Sequence, residues 1–124
     1  MKIIATENAP KAIGPYSQAI ILGNMIYCSG SIPLNPKTML VEATTIEAQT
    51  EQVLKNMNAI LENSGSGLNK VVKTTVFLKN MDDFQKMNGV YERIFKRHAP
   101  ARSTVQVAKL PLDVMVEIEC IATL

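Results

Sequence analysis

A chain of 124 residues that is 47% hydrophobic and 19% charged can bury about two-thirds of its unfolded surface in one core. Those proportions exclude a disordered tail, a collagen-like repeat and a coiled coil. Thirteen basic against eleven acidic side chains give a net charge of +2, and the basic residues form no long block, which argues against nucleic acid as a partner. No long apolar stretch opens the sequence, and the run from Ala19 to Leu22 is far too short to span a bilayer. The expectation is a soluble, cytoplasmic, single domain over residues 1–124.

Residues 1–24 mix short apolar pieces with the turn signals Asn8-Ala9-Pro10, Gly14-Pro15 and Gly23-Asn24. Gln18–Leu22 and Met25–Ser29 predict two strands joined at Gly23-Asn24, since both residues tolerate positive φ in a tight hairpin. Residues 30–43 hold two prolines and predict a loop. A helix is expected from Thr44 to Asn63. Thr44 and Glu47 match a capping box, and Ile46, Val53, Leu54, Met57, Ile60 and Leu61 recur at helical spacing. Ser64-Gly65-Ser66-Gly67 stops it.

Val71–Leu78, rich in β-branched residues, predicts a strand. Its two parities are Val72, Thr74, Val76, Leu78 and Val71, Lys73, Thr75, Phe77. Asp82 or Asp83 can cap a second helix running to Arg97, with Phe84, Met87, Val90 or Tyr91, Ile94 and Phe95 as its apolar stripe. Two final strands are expected at Arg102–Val107 and Val114–Thr123, connected through Leu110-Pro111-Leu112-Asp113. The order is β-β-α-β-α-β-β, with room for a short strand at Lys2–Ala5. Strands alternating with two helices predict an α+β fold: a mixed sheet with both helices packed on one face. In the last strand Val114, Val116, Ile118, Cys120 and Ala122 form a wholly apolar face that belongs under the helices. The other face carries Met115, Glu117, Glu119, Ile121 and Thr123. Phe77, Ile121 and Met115 would leave an apolar patch on that side, which implies a homo-oligomer whose sheets pack together.

The chemistry available is narrow. Cys28 and Cys120 lie in apolar runs and are expected to be free core thiols. With a lone His98 they do not make a zinc site, and His98 is expected as a solvated helix-end residue. Phosphate-cradling glycine motifs are absent. The polar residues to weigh are Tyr16, Ser29, Asn88, Arg102, Thr104, Glu117 and Glu119. Arg102 follows a rigid Ala99-Pro100-Ala101 turn, where its planar guanidinium can grip a carboxylate or phosphate. It can equally be a surface ion-pair residue. Glu117 and Glu119 alternate with apolar neighbours. Either could act as an acid/base in an interface, or simply pair with Lys73 or Arg102.

Several segments resemble the reactive intermediate deaminase A (YjgF/RidA) family: Ala12-Ile13-Gly14-Pro15-Tyr16-Ser17-Gln18, Ser29-Gly30-Ser31-Ile32-Pro33, Val72-Lys73-Thr74-Thr75-Val76-Phe77, Pro100-Ala101-Arg102-Ser103, Val107-Ala108-Lys109-Leu110-Pro111 and Val116-Glu117-Ile118-Glu119. The likeness runs from Thr6 to Ala122. It implies a chorismate-mutase-like fold and a homotrimer with clefts between subunits. The implied activity is hydrolysis of 2-aminoacrylate and its tautomer 2-iminopropanoate to a 2-keto acid and ammonia, with neither cofactor nor metal. By the same resemblance Arg102 grips the substrate carboxylate and Tyr16 closes over the ligand. Ser29 and Gly30 line the site through their backbone, and Asn88 touches the ligand from the rim. Glu119, expected beside the strand bearing Arg102 and Thr104, activates water or the imine. Many members carry cysteine where this chain has Thr104, so a thiolate role is not implied here. The family also carries endoribonuclease and translation-inhibition attributions, a metabolite-sensing or regulator-partner role, and a chaperone role. The charge balance gives the RNA reading little support.

Overall fold

The computed structural model describes Met1–Leu124. Six strands form one sheet: β1 (Lys2–Ile4), β2 (Ala19–Leu22), β3 (Met25–Ser31), β4 (Val71–Leu78), β5 (Ala101–Gln106) and β6 (Val116–Thr123). Their order across the sheet is β1-β2-β3-β6-β4-β5. All neighbours are antiparallel except β4 and β5, which run parallel. Parallel neighbours need a long crossover, and the helix α2 (Phe84–Phe95) supplies it. The other helix, α1 (Ile46–Asn63), joins β3 to β4. Both helices cover one sheet face, as the alternation of the last strand requires. Val53, Leu54, Met57 and Leu61 of α1 and Met87, Tyr91 and Phe95 of α2 share one core with Val116, Ile118, Cys120 and Ala122.

Local chemistry sets the element ends, in places one residue away from the sequence expectation. Gly23 alone takes positive φ in the β2–β3 hairpin (61°), the pattern of a type II′ turn. Asn24 serves differently: its Nδ2 donates to Thr123 Oγ1 (2.9 Å) and its carbonyl accepts from Leu124 N (3.1 Å). The cap of α1 is Thr45, not Thr44, with Oγ1 accepting from Ala48 N (3.1 Å). The third helical position is then Ala48, which has no carboxylate to return the bond, so no capping box forms. At the other end Gly65 (φ 82°) ends α1, with Ser66 N bonded to Leu61 O and Gly65 N to Glu62 O, the paired bonds of a Schellman motif. Before α2 neither Asp82 nor Asp83 caps through its side chain. Asn80 does, accepting from Asp82 N (2.9 Å) at the start of a short turn.

The largest departure from simple alternation lies in β4. Val71 pairs with Ala122 and Lys73 with Ile121, leaving Val72 as an extra residue. This bulge turns Val71 into the core and leaves Val72 44% exposed, the reverse of the unbroken parity. Cys28 and Cys120 are cross-strand partners, buried and unlinked. Hydrogen bonding to Cys28, and then burial, push the Cys120 thiol far above its ordinary range. No helix is long and apolar enough to cross a membrane.

Candidate functional site

Apart from Glu119, the polar residues singled out by the sequence fall into two groups on opposite sheet faces. The first gathers on the face away from the helices. The β3–β6 register shifts between Cys28 and Ser31, and this irregularity carries Ser29 and Gly30. Ser29 is fixed twice: its N–H donates to Gln18 O (3.0 Å) and its Oγ donates to Ser17 O (2.6 Å). Gly30 faces Glu117 so closely that a Cβ would collide with the Glu117 carboxyl. The absence of a side chain is therefore what lets the carboxyl lie on the β3 backbone. Burial, followed by the charge of Glu119, raises the affinity of Glu117 for its proton above that of an ordinary carboxylate.

Above this floor lies a cavity of about 560 Å³, lined by Lys11, Ile13, Tyr16, Ile32, Leu34, Pro111 and Leu112 together with Glu117. Tyr16, 53% exposed, accepts a hydrogen bond on its hydroxyl from Ile13 N (3.3 Å), closing the Ile13–Tyr16 turn on itself. Two buried amides missed in the sequence hold the walls. Gln18 bonds Thr6 through both side-chain polar atoms and donates to Pro10 O (2.8 Å). Asn56 donates to Ile32 O (3.2 Å) and Leu34 O (2.8 Å). A buried Gln or Asn in an otherwise apolar stretch was the available signal, because such amides persist where they bond backbone.

The second group sits at the opposite face, under α2. Arg102 pairs with Thr74 across β4–β5, and Thr74 bonds the Tyr91 hydroxyl (2.8 Å) in the core. The Arg102 guanidinium lies 4.8 Å from the Tyr91 ring centroid and 5.5 Å from that of Phe84, within cation–π range. Its Nη1 donates to Asn88 Oδ1 (2.7 Å), so Asn88 positions the arginine. Burial is the main reason the Tyr91 phenol titrates above its usual range. Thr104, on the same face, has a buried Oγ1 with no hydrogen-bond partner. His98 is partly buried, its ring Nε2 bonded to Val71 O, rather than a solvated end residue.

Glu119 joins neither group. β4 lies between β6 and β5, so Glu119 is not beside the strand bearing Arg102. Its neighbours are Tyr27, Lys73, Thr75 and Ile121 on the open face. It shares strand parity with Glu117, which left the two inseparable by pattern. Only the register against Gly30 distinguishes them. No group of three or more His, Cys, Asp or Glu side chains is placed to hold a metal ion.

This arrangement has close counterparts. The family described as Endoribonuclease L-PSP matches residues 6–124. The chain belongs to this family, also called YjgF/RidA. An Escherichia coli relative named 2-iminobutanoate/2-iminopropanoate deaminase is 55% identical over 98% of this chain and 96% of its own. The crystal structure of the E. coli YjgF gene product superposes with a TM-score of 0.95 at 53% identity, covering 99% of this chain and 98% of that one. That of E. coli TdcF with bound serine superposes with a TM-score of 0.96 at 42% identity, covering 100% and 99%. The α+β fold expected from the sequence is thus the YjgF/RidA fold.

Proposed function

We propose that this YjgF/RidA-family chain hydrolyses small 2-imino acids and their enamine tautomers, such as 2-iminopropanoate and 2-aminoacrylate, to 2-keto acid and ammonia in the cytoplasm. The observation that carries the reading is Glu117: a half-buried carboxyl with raised proton affinity, resting on Gly30 at the floor of a cavity. A base poised nearer neutrality than an ordinary carboxylate suits activation of water. Water adds to the carbon of the protonated C=N bond while Glu117 takes its proton. Glu117 then returns that proton to nitrogen. Collapse of the N-protonated carbinolamine forms the carbonyl and expels ammonia, which takes up the hydroxyl proton, so substrate iminium and water leave as keto acid and ammonium.

Arg102 supplies the carboxylate grip, its fork aligned by Asn88 and stacked on Tyr91. Ser29 and Gly30 offer backbone to the ligand, Tyr16 covers it, and Thr104 contributes shape and a backbone N–H beside the carboxylate. Arg102 and Glu117 lie on opposite faces of one sheet, so a ligand touching both needs two copies of the chain. A homotrimer with clefts between subunits meets that need. The name of the E. coli deaminase supports the substrate class. The test is release of keto acid and ammonia from imines generated in situ, measured above the spontaneous rate, alongside light scattering at micromolar concentration. Release no faster than the spontaneous rate would remove this reading, and a monomer would remove the shared site.

A further inference from the structure

Three residues of one helix converge on Arg102. Phe84, Asn88 and Tyr91 stand at positions i, i+4 and i+7 of α2, the spacing that lines side chains up on one helix face. Phe84 and Tyr91 turn their rings to the guanidinium, with centroids at 5.5 and 4.8 Å, and Asn88 accepts from Nη1 (2.7 Å). An arginine carries five N–H donors in a planar fork, and this bond uses one of them. The edge formed by Nε and Nη2 donates to no other group of the chain. Its two parallel N–H groups match the spacing of a carboxylate. The guanidinium is thus clamped on one side and free on the other.

The clamp is anchored one layer deeper. Tyr91 and Thr74 are both buried, and their hydroxyls bond to each other at 2.8 Å. Thr74 stands on β4 directly across from Arg102 on β5, so this bond ties α2 to the strand beside the arginine. A buried hydroxyl stripped of its partner costs more than the bond itself contributes, so the pair fixes the place of the Tyr91 ring. The ring in turn limits the positions the guanidinium can take. Every contact in this set is made within one chain, on the helix side of the sheet. None of them depends on what covers the open face.

We infer that Tyr91, pinned by Thr74, is a positioning residue that holds Arg102 with its Nε–Nη2 edge presented to the substrate carboxylate. This rests on the deaminase reading for its substrate, while the positioning itself is read by binding. An arginine held before the ligand arrives leaves less to order on binding. Stacking on a ring away from water is worth about tenfold, so Tyr91→Leu should weaken pyruvate binding by that factor. A carboxylate grip acts alike on substrate and transition state. The variant should therefore raise KM for 2-iminopropanoate by a similar factor and leave kcat nearly unchanged.

The experiment is NMR titration with pyruvate and with its neutral amide, pyruvamide, alongside steady-state kinetics on 2-iminopropanoate generated in situ. Wild type is compared with Tyr91→Leu and with Tyr91→Phe combined with Thr74→Val. The double variant removes both hydroxyls and keeps the ring, so it should melt near wild type. Its pyruvate affinity should fall about threefold, the net worth of one hydrogen bond. Pyruvamide binding should be the same in all three proteins. The Arg102 Nε–H proton resonance, displaced by the ring faces in wild type, should move toward its ordinary position in Tyr91→Leu. If Tyr91→Leu does not fold, the double variant decides. Wild-type pyruvate affinity and KM in either variant, or a loss equally large for pyruvamide, would overturn the inference. If the imine is not turned over but pyruvate affinity follows the substitutions, the deaminase reading falls and the role of Tyr91 stands. If turnover is present and affinity does not follow them, only the role of Tyr91 falls. If neither is seen, both fall.

Discussion

The two polar groups of this sheet differ in how complete they are. Under α2, Arg102 already has its partners: an amide oxygen at 2.7 Å and two aromatic faces. On the open face, Glu117 has a glycine backbone beneath it, a like charge on the same strand and a cavity above. The cation is pre-aligned and the carboxyl is left with an unpaired proton site. An anchor is improved by being held before the ligand arrives, because less ordering remains to be done on binding. An acid/base is improved by burial and like charge, which bring its proton affinity closer to working pH. One strand position therefore looks saturated and the other unfinished, and each state suits its task.

The sharpest way to break this contrast is to exchange the two glutamates. Glu117→Gln should lower kcat by roughly 10²–10⁴, the usual worth of a placed acid/base, while Glu119→Gln keeps most activity. Steady-state kinetics on both variants decides it, and the opposite ranking would return the role to Glu119. Folding is not expected to confound the comparison. The native proton affinity of Glu117 is raised, so ionising it disfavours the folded state as pH rises from the unfolded carboxyl value to the native one,. Glu117→Gln removes that penalty and should be at least as stable as wild type at neutral pH in thermal melts.

Next comes the division between chains. Arg102→Ala and Glu117→Gln should each be nearly inactive. If neighbouring copies contribute one group each, random co-refolding of the two variants restores up to about a quarter of the clefts to wild-type composition. No recovery on mixing would place both groups within one chain's reach of the ligand and contradict the two-face arrangement.

A smaller effect is expected at the anchor itself. Arg102→Lys keeps the charge but loses the planar fork and the stacking on Tyr91, so ligand affinity should fall by about 1.5–3 kcal/mol, read by titration with a keto-acid product. The smallest effect is a shift in pH dependence. Glu119 raises the proton affinity of Glu117, so Glu119→Gln should move the ascending acid limb of kcat/KM to lower pH with little change in its plateau. An unmoved limb would mean that the titrating group is not Glu117.

Much of this frame is legible in the residues. The apolar face of β6 needs only alternation, and the Gly23-Asn24 hairpin needs only turn chemistry. Arg102 is flagged by the proline turn before it. Other features depend on pairings that no local pattern encodes. The bulge at Val72 exists only against the register of β6. The separation of Glu119 from Arg102 exists because β4 inserts between their strands. Glu117 and Glu119 look alike until the irregularity in β3 brings Gly30 under one of them. Thr45 rather than Thr44 as the cap turns on a one-residue offset in helix start, which packing decides.

The position of β6 reaches beyond the site. The last strand in the sequence is an inner strand of the sheet, hydrogen-bonded on one side to β3 and on the other to β4. While the chain is being made, the β1–β2–β3 meander and the β4–α2–β5 unit have no contact through the sheet until Val116–Thr123 has emerged. A nascent chain then holds two open inner edges, which are templates for unwanted strand pairing, and their closure is a single late event. Folding of this domain should accordingly be all-or-none with respect to its final segment, and chains halted before Val116 should be protease-sensitive throughout.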